Sequence, residues 1–315
     1  MNPRISVISP VYNGEAFVRE TIESILDQSF KDWEMLIMDG ASKDHTVEIA
    51  KEYASKHPQI KIFSEKDEGI GDAFDKGLDK ATGDFVCFLC ISDGYANKDW
   101  FAECVKAFDA HPEVSVVWGV PFSRPEEGHP SEPHFAYAHF LQEKKNGSRA
   151  AALWKLAKRA KELGPRLALK KLNAFSMAAV GGMIKNAPMP VKEEWFKYWL
   201  RTGLTFPDNG TMTRRDVILD CIPRYIKGSF VVDNFLPLFF NLNAKGYLAY
   251  GLPIPANYWR AHEGAGVKLR GKIVQDKKDY LKQVENFRRE LIAKGGKFPL
   301  IDHSKKQVSE VEISD

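Results

Sequence analysis

Acidic side chains follow three of the predicted strands, at the point where each strand ends. Asp39 comes after the second strand, Asp67 after the third and Asp93 after the fourth. In a parallel sheet the carboxyl ends of the strands meet at one edge, and ligands of such sheets bind there. Mg²⁺ and Mn²⁺ prefer oxygen ligands and commonly bridge one or two carboxylates to a diphosphate. A single acid at a strand end is usually a turn or cap residue, but three in register favour a site for a hydroxyl-bearing ligand and a divalent cation.

The pattern of the first 120 residues predicts the sheet that would bring these acids together. Short apolar runs alternate there with segments whose apolar residues recur at helical spacing, and this alternation is typical of βαβ units. We therefore expect an α/β fold with a mostly parallel sheet flanked by helices. The predicted strands are Ile5–Ser9 (ended by Pro10), Trp33–Met38, Ile60–Phe63, Phe85–Leu89 and Val114–Trp118, and the predicted helices begin near Glu15, His45, Gly71 and Lys98.

The motifs also exclude several other kinds of site. The sequence has no G-x-x-x-x-G-K-[ST] loop, and Gly69-Ile70-Gly71 lacks the third glycine and the preceding strand of a dinucleotide fingerprint. Cys87 and Cys90 have C-x-x-C spacing but lie in a strand-like run, where residues three apart point to opposite faces. We expect buried thiols rather than zinc or redox ligands, since four cysteines are also too few for a disulfide framework in 315 residues.

Four short motifs occur in order along this half of the chain. They are Pro10-Val11-Tyr12-Asn13, the segment 38–44 (MDGASKD), the segment 64–77 (SEKDEGIGDAFDKG) and Ala81-Thr82-Gly83-Asp84. Together they resemble the consecutive motifs of the family 2 inverting glycosyltransferases, through about residue 120 and again over 207–266. The resemblance implies a GT-A type fold, in which a Rossmann-like nucleotide-binding sheet is joined to an acceptor-binding half. It also implies transfer of a hexosyl or related sugar from a nucleotide-diphosphate donor, expected to be a UDP-sugar.

The resemblance assigns donor-binding roles to residues in the loops after the strands. The first loop contacts the nucleoside, and Asp39 hydrogen-bonds the base. The segment after the third strand lines the ribose and diphosphate pocket. The implied nucleotide-sugar-binding residues are Pro10, Tyr12, Glu15, Asp39, Asp67, Gly69, Asp72, Lys76 and Ser92.

The metal motif departs from the family pattern. Where the family usually has Asn-Ser-Asp-Asp or D-x-D, this chain has Cys90-Ile91-Ser92-Asp93, in which only the last acid remains. One carboxylate can still hold a metal together with diphosphate oxygens and water, so the expected cofactor is Mn²⁺ or Mg²⁺, bound with reduced affinity. Asp93 is the implied metal ligand. His262, in a late loop that resembles one of the family, is the second, although a lone His is often an ordinary surface or core residue.

Asp233 lies in a segment, Val231–Phe235, where the family carries its catalytic base. An inverting transfer is a one-step displacement that needs a base within hydrogen-bond reach of the attacking hydroxyl and stabilisation of the leaving diphosphate. The preceding segment 207–216 resembles a family segment near the acceptor. Two alternatives remain: a donor-binding pseudoenzyme, suggested by the degenerate metal motif, and a sugar-nucleotide pyrophosphorylase, for which the first loop lacks the glycine-rich, Arg-bearing sequence.

The formal net charge of +3 is distributed unevenly along the chain. Residues 1–100 carry 11 Lys and Arg against 19 Asp and Glu, and this acidic half argues against nucleic-acid binding. Ten Lys and Arg residues lie within 144–171, with apolar residues between them at helical spacing, and the mostly uncharged run Leu172–Ile184 follows. The segment 144–184 therefore predicts peripheral contact with anionic lipid; the alternative is a solvated helix pair that covers the acceptor site.

These patterns divide the chain into a donor-binding half (1–120), a basic helical insertion (121–206), a part with the acceptor site and catalytic base (207–267), and a C-terminal amphipathic helix with a polar tail (268–315). The helix offers an oligomer contact through 273–292. The opening residues lack signal-peptide features and no uncharged apolar stretch has the length of a membrane span. We therefore expect a cytoplasmic protein, peripheral at the inner membrane face, that acts on a glycan or lipid-linked acceptor in surface polysaccharide or glycolipid biosynthesis.

Overall fold

The computed structural model describes residues 2–125, 132–133, 199–200, 210–222, 235–261, 297–304 and 307–312, together with some helical residues between 282 and 293. Asp233, His262 and the basic segment 144–184 lie outside the described residues, as do residues 273–281. None of the helices in the described part of the chain combines the length and apolarity needed to cross a membrane.

A nine-stranded sheet organises the described residues, with the strand order β3-β2-β1-β4-β8-β6-β9-β5 and with β7 paired to β6. The strands are β1 (Ile5–Val11), β2 (Trp33–Asp39), β3 (Ile60–Ser64), β4 (Phe85–Phe88), β5 (Gly94–Tyr95), β6 (Val116–Pro125), β7 (Glu132–Pro133), β8 (Thr211–Arg214) and β9 (Ala249–Ala261). The helices are α1 (Val18–Leu26), α2 (Thr46–Ala54), α3 (Ile70–Lys80), α4 (Trp100–Ala110), α5 (Arg215–Cys221) and α6 (Phe235–Ala244).

Most strands of this sheet run in one direction. β1 pairs in parallel with β2 and β4, and β2 pairs in parallel with β3. β8 lies antiparallel to both β4 and β6, so β6 runs in the direction of β4, and β9 is parallel to β6. The predicted α/β class with a mostly parallel sheet is confirmed, because within the described residues only β5, β7 and β8 run the other way.

Apolar cores cover both faces of the sheet. Neighbouring residues of a strand point to opposite faces, so Ile8 packs in the cluster that includes α3, α5 and α6, whereas Val7 packs in the cluster that includes α1, α2 and α4. Both side chains are fully buried. Burial on both faces explains why the strands of this half are almost continuously apolar.

Two strands continue through prolines, one of which, Pro10, was predicted to end its strand. β1 extends past Pro10 to Val11. The Pro10 carbonyl accepts the Ile91 N–H at 3.2 Å, so Pro10 faces the side of β4. The pairing of β4 with β1 ends at Phe88, so the N–H that proline lacks removes no hydrogen bond of that pairing. β9 likewise runs through Pro253 and Pro255, where its pairing with β6 has register shifts that accommodate residues without an N–H.

The polar tail predicted from Gly295 is wrong for residues 297–312. These residues form two antiparallel strands, β10 (Lys297–Asp302) and β11 (Gln307–Glu312). Phe298 and Leu300, which alternate along β10, are buried in a small cluster with Trp199 and Leu248. β10 is only six residues long and begins and ends with a charged residue, so its apolar residues were too short a pattern to predict a strand.

The cysteines of the described residues are free thiols, as expected. Cys87 is buried in β4, and this burial raises the pKa of its thiol to about 12. Cys104 is buried in α4, and Cys221 is buried in α5. A thiol with such a raised pKa carries little thiolate at neutral pH. Cys90 is only partly buried, so the expectation of buried thiols is confirmed for Cys87 but not for Cys90.

Glu34 joins β1, β2, β3 and the start of β4 through a buried hydrogen-bond network. Its carboxylate accepts hydrogen bonds from the Ser6 hydroxyl at 2.7 Å and from both the N–H and the hydroxyl of Thr82 at 2.8 Å. The Lys61 ammonium lies 2.7 Å from its other oxygen. Burial alone would raise the pKa of Glu34, but these donors outweigh it and lower it. The fourth sequence motif, which contains Thr82 and Gly83, thus stabilises the amino edge of the sheet.

Substituting Glu34→Ala should therefore lower the free energy of unfolding by about 3 kcal/mol, because it leaves several buried donors without an acceptor. Glu34→Gln should cost less, since its amide oxygen still accepts. Because the folded state lowers the pKa of Glu34, the stability that its charge contributes is present at neutral pH and is lost as the pH falls below about 4. Urea unfolding at pH 7 and at about pH 3, below the ordinary pKa of a glutamate, measures this. The exposed control Glu52→Ala should cost roughly 0.5 kcal/mol, and an equal loss in both variants would contradict the assignment.

Candidate functional site

The carboxyl ends of the parallel strands meet at one edge, as the sequence predicted. Val11 at the end of β1 pairs with Asp39, and Asp39 pairs with Ser64 at the end of β3. The chain beyond β4 continues beside β1, since the Ile91 N–H donates to the Pro10 carbonyl at 3.2 Å. The loops that begin at residues 12, 40, 65 and 89 therefore start from neighbouring points.

The first two loops are fastened to each other by hydrogen bonds that run in both directions. The Asn13 N–H donates to the Ser42 hydroxyl at 2.8 Å, and the Asn13 side-chain oxygen accepts the Lys43 N–H at 2.9 Å. The Gly14 N–H donates to the Thr46 hydroxyl at 2.8 Å. Asn13 has a φ of +52°, a left-handed conformation that Asn tolerates better than most residues. The two loops thus form one preassembled wall.

Tyr12 and Glu15 differ in what they offer to a ligand at this wall. Tyr12 is 60% exposed, more than any other large apolar side chain in the described residues, so its ring is available for stacking on a base. Glu15 instead accepts hydrogen bonds from the main-chain N–H and the ring of His45, both at 2.9 Å. These contacts lower the pKa of Glu15 and raise that of His45. Pro10 is buried within β1.

Asp39 is a buried hydrogen-bond acceptor at the end of β2. It is 2% exposed, and its carboxylate accepts the Ser64 hydroxyl at 2.5 Å and the Ser42 N–H at 3.2 Å. The loop after β2 and the end of β3 therefore fix its orientation. A carboxylate held in this way can accept an N–H from a planar base, which is the role that the family resemblance implies for it.

Asp67 lies directly against the loop that follows Asp39. A Cβ atom at Gly40 would lie 2.6 Å from Asp67 Oδ2, so only glycine leaves room for this carboxylate. Its other oxygen accepts the Gly69 N–H at 2.9 Å. Burial raises the pKa of Asp67, and the nearby charges of Asp72 and Asp39 act in the same direction. The Gly69 N–H and Lys76 act in the opposite direction without cancelling this shift, so the charged form of Asp67 is less favourable in the folded protein than in water.

Asp72 and Lys76 lie in the first two turns of α3, near Asp67. Asp72 accepts the Glu68 N–H at 3.1 Å and lies 3.0 Å from the Lys76 ammonium. Lys76 also contacts Glu65 at 3.6 Å. Burial lowers the pKa of Lys76, but Asp72 and Glu65 outweigh it, so the net shift is upward. Lys76 is thus a fixed cation that can approach a diphosphate, and Gly69, with a φ of +120°, begins the helix.

Asp93 is buried at the end of the fourth loop. Its Oδ1 accepts the Arg260 main-chain N–H at 3.0 Å and the Ser92 hydroxyl at 3.3 Å. Its carbonyl accepts the Thr21 hydroxyl at 2.6 Å. Ser92 is therefore a neighbour that helps to hold the Asp93 carboxylate.

The oxygen atoms near Asp93 fit a divalent cation whose other ligands are mostly substrate phosphates and water. No group of three or more His, Cys, Asp or Glu side chains suited to a metal occurs within the residues that the structure describes. Asp93 offers one oriented carboxylate, and Mg²⁺ or Mn²⁺ is commonly held by one or two carboxylates plus substrate phosphates and water. The predicted second ligand, His262, and the predicted base, Asp233, lie outside the described residues.

Arg214, in the segment that resembles the acceptor region of the family, lies at the opposite edge of the sheet. It pairs with Phe85, the first residue of β4. Its guanidinium lies over the rings of Phe85 and Phe108, 5.5 and 5.0 Å from their centroids, and its Nε donates to the Val114 carbonyl at 2.8 Å. These contacts stabilise the amino edge and are remote from the strand-end acids.

The sequence analysis missed a cluster that supports Asp93. Arg260 donates through Nε to the Ser92 carbonyl at 3.2 Å and through Nη2 to Glu20, which also accepts the Tyr258 hydroxyl at 2.7 Å. Arg260 lies in β9, two residues before His262, so the segment predicted to carry a metal-binding histidine was one signal for it. Glu20 gave none, because it is separated from Arg260 by 240 positions.

Several proteins whose sequences resemble this chain have names that refer to the biosynthesis of glycans or glycolipids. The O-antigen biosynthesis protein RfbC of Myxococcus xanthus is 35% identical over 136 residues, which are 42% of this chain and 11% of that protein. A PGL/p-HBAD biosynthesis glycosyltransferase of Mycobacterium bovis (strain BCG / Pasteur 1173P2) is 31% identical over 118 residues, which are 37% of this chain and 46% of that protein. The chain therefore spans less than half the length of either relative.

Two solved glycosyltransferases share the fold. S. aureus TarS 1-349 in complex with UDP-GlcNAc has a TM-score of 0.52 and 18% identity, and the match covers 84% of this chain and 60% of that chain. Mannosyltransferase PcManGT from Pyrobaculum calidifontis, in complex with GDP-Man and Mn²⁺, has a TM-score of 0.52 and 19% identity, and the match covers 86% and 60%. At these identities the likeness shows the fold, and it confirms the predicted GT-A type.

The sequence match to a family extends beyond the segment in which the motifs were found. Residues 6–163, half of the 315 residues, match the family described as Glycosyl transferase family 2. This range contains all the strand-end acids and the loops described above. The chain belongs to glycosyl transferase family 2.

Proposed function

We propose that the protein transfers a sugar from a nucleotide-diphosphate donor to a hydroxyl of a glycan or lipid-linked acceptor, with inversion at the anomeric carbon. The observation that carries this proposal is the position of Asp39, Asp67 and Asp93 on loops that leave one edge of the parallel sheet. Membership of the family supports it. The names of the relatives support a role in surface polysaccharide or glycolipid biosynthesis.

The donor is proposed to be a UDP-sugar. Asp39 is a carboxylate with a fixed orientation, so it can accept the N–H of uracil, while the exposed Tyr12 ring stacks on the base. Asp67 would accept the ribose hydroxyls, and Lys76, with the Gly69–Asp72 turn, would face the diphosphate. TarS was solved with UDP-GlcNAc, which supports uridine, whereas the mannosyltransferase was solved with GDP-Man. The nucleotide is therefore part of the test below.

Asp93 would hold Mn²⁺ or Mg²⁺, and His262 is the proposed second protein ligand. The mannosyltransferase that shares the fold was solved with Mn²⁺. When bound, a divalent cation supplies positive charge to the leaving diphosphate. Asp93, with Ser92 and the Arg260 main chain, keeps its carboxylate in place without rearrangement during the reaction.

Asp233 is the proposed general base. In a single displacement it takes the proton from the acceptor hydroxyl as that oxygen bonds to the anomeric carbon. The bond between this carbon and the diphosphate oxygen breaks on the opposite side, and the nucleoside diphosphate leaves with the bonding electron pair. A positioned base of this kind typically contributes 10²- to 10⁴-fold to the rate.

The remaining regions suggest where the acceptor approaches. We propose that 1–120 binds the donor and that 207–267 binds the acceptor, with the basic segment 144–184 in contact with anionic lipid at the inner face of the cytoplasmic membrane. Its ten Lys and Arg residues within 144–171 support this proposal. An oligomer contact through 273–292 and a cytoplasmic location are part of the same proposal, and nucleic acid is not a proposed partner.

Donor hydrolysis in the absence of acceptor tests this function. The purified chain is incubated with UDP-, GDP- or TDP-sugars, with and without Mn²⁺, and the released nucleoside diphosphate is measured. We expect slow release from a UDP-sugar that requires the metal. Asp233→Asn should reduce release about 100-fold or more, while calorimetry gives a UDP affinity within about threefold of the wild-type value. The exposed Glu52→Gln should change neither quantity.

Each opposite outcome would contradict a defined part of the proposal. Binding of UDP without hydrolysis of any donor would favour a donor-binding pseudoenzyme. Unchanged release in Asp233→Asn would contradict the base assignment. Preference for a GDP- or TDP-sugar would contradict the assignment of uridine while leaving the transfer itself intact.

Asp67 should show opposite effects on stability and on donor binding. The folded state raises the pKa of Asp67, so the charged form of this residue lowers the free energy of unfolding. This loss of stability is fully present above the pKa of the folded state and disappears below pH ~4. Asp67→Asn should therefore raise the melting temperature at pH 7 by ~1–3 °C and weaken UDP-sugar binding by about tenfold or more through loss of the charged acceptor. Differential scanning fluorimetry and calorimetry measure both, with Glu48→Gln as an exposed control. A lower melting temperature, or unchanged binding, would disprove this account.

A further inference from the structure

Helix α1 contacts the Ser92–Asp93 loop along one face. The Thr21 hydroxyl donates to the Asp93 carbonyl at 2.6 Å, and the Ser24 hydroxyl oxygen accepts the Tyr95 N–H at 3.1 Å. Residues three apart lie on the same side of a helix. The carbonyl of Asp93 and the main chain that follows it are therefore attached to α1.

Arg260 attaches the same loop to β9. Its main-chain N–H donates to Asp93 Oδ1 at 3.0 Å, and its Nε donates to the Ser92 carbonyl at 3.2 Å. The guanidinium lies 5.2 Å from the centroid of the Phe17 ring, and its side chain is only 17% exposed. One residue thus contacts both the carboxylate and the main chain that carries it.

Glu20 fixes the guanidinium of Arg260. One carboxylate oxygen accepts Arg260 Nη2, and the other accepts the Tyr258 hydroxyl at 2.7 Å. Glu20 lies on α1, whereas Tyr258 and Arg260 lie on β9. The ion pair therefore connects the two elements on which the Asp93 loop depends.

The single acid of the metal motif makes this arrangement important. A site with two or three acids can take its geometry from several ligands, but here Asp93 is the only acid of the 90–93 motif. One of its oxygens already accepts two hydrogen bonds, which sets the direction of the carboxylate. Partners that orient a ligand in this way typically change metal affinity 10- to 100-fold when they are removed.

We propose that Glu20, Arg260 and Tyr258 form a clamp that positions the Asp93 carboxylate for the divalent cation and the donor diphosphate. Glu20 and Tyr258 are positioning residues, since they act through Arg260. The clamp supplies the rigidity that a second acid would otherwise provide. This inference rests on the proposed function, because it takes Asp93 to be the metal ligand.

The Mn²⁺ requirement of UDP binding tests the clamp. In the full chain, the Mn²⁺ concentration that gives half of the UDP-induced rise in melting temperature is compared between variants. Glu20→Ala should raise this concentration about tenfold or more, and Tyr258→Phe about threefold. Glu20→Gln should have a smaller effect than Glu20→Ala because its amide oxygen still accepts a hydrogen bond. The rise in melting temperature that UDP causes without Mn²⁺ should be the same in all variants. If these residues had only a structural role, this rise would change as well.

Arg19→Ala is the matched control. Arg19 precedes Glu20 on α1 and forms an exposed ion pair with Glu52 at 2.9 Å, away from Asp93, so its variant should stay within about twofold of the wild-type value. Equal Mn²⁺ requirements in Glu20→Ala and Arg19→Ala, with the Mn²⁺ response lost in Asp93→Asn, would overturn the clamp and leave the proposed function intact. An unchanged response in Asp93→Asn would overturn the metal assignment itself. If Glu20→Ala does not fold, Tyr258→Phe, which removes one hydroxyl, decides the question.

Discussion

The register between neighbouring parallel strands is the constraint on which the site depends. Because Val11 pairs with Asp39 and Asp39 pairs with Ser64, the last residues of three strands lie side by side. A slip of one residue would turn every side chain of β2 to the other face and remove Asp39 from the loop edge. Such a slip would also exchange the side chains packed in the two cores and separate Ser6 from Glu34, so the core packing and the buried Ser6–Glu34 hydrogen bond oppose it. The cores therefore position the site as well as stabilise the fold.

Charge is the second constraint, because the pocket is acidic while the proposed ligand is an anion. Burial raises the pKa of Asp67, and the carboxylates of Asp72 and Asp39 add to this, so the charged form of Asp67 is unfavourable in the ligand-free protein. Lys76 offsets part of this charge and is itself held by Asp72. A cation bound at Asp93 would offset more of it, so the approach of a diphosphate and the binding of a metal favour each other. This coupling gives a physical reason for expecting metal dependence in spite of the shortened motif.

The sequence predicted those parts of the molecule that depend on local pattern. The order of strands and helices, the edge at which the acids meet and the buried thiols all follow from periodicity and spacing. Contacts between distant residues could not be predicted in this way: Glu20 and Arg260 meet because α1 and β9 pack near the same loop. The β10–β11 hairpin was missed because its short strands mix apolar with charged and polar residues.

Hydrogen–deuterium exchange of the full chain, with and without UDP and Mn²⁺, tests the central claim most directly. Slower exchange is expected at the carboxyl edge, in residues 12–15, 40–46, 65–72 and 90–95. The amino edge, represented by Arg4, the Glu34 network and Arg214, should not change. Protection at the amino edge, or none at the carboxyl edge while UDP is bound, would contradict the account.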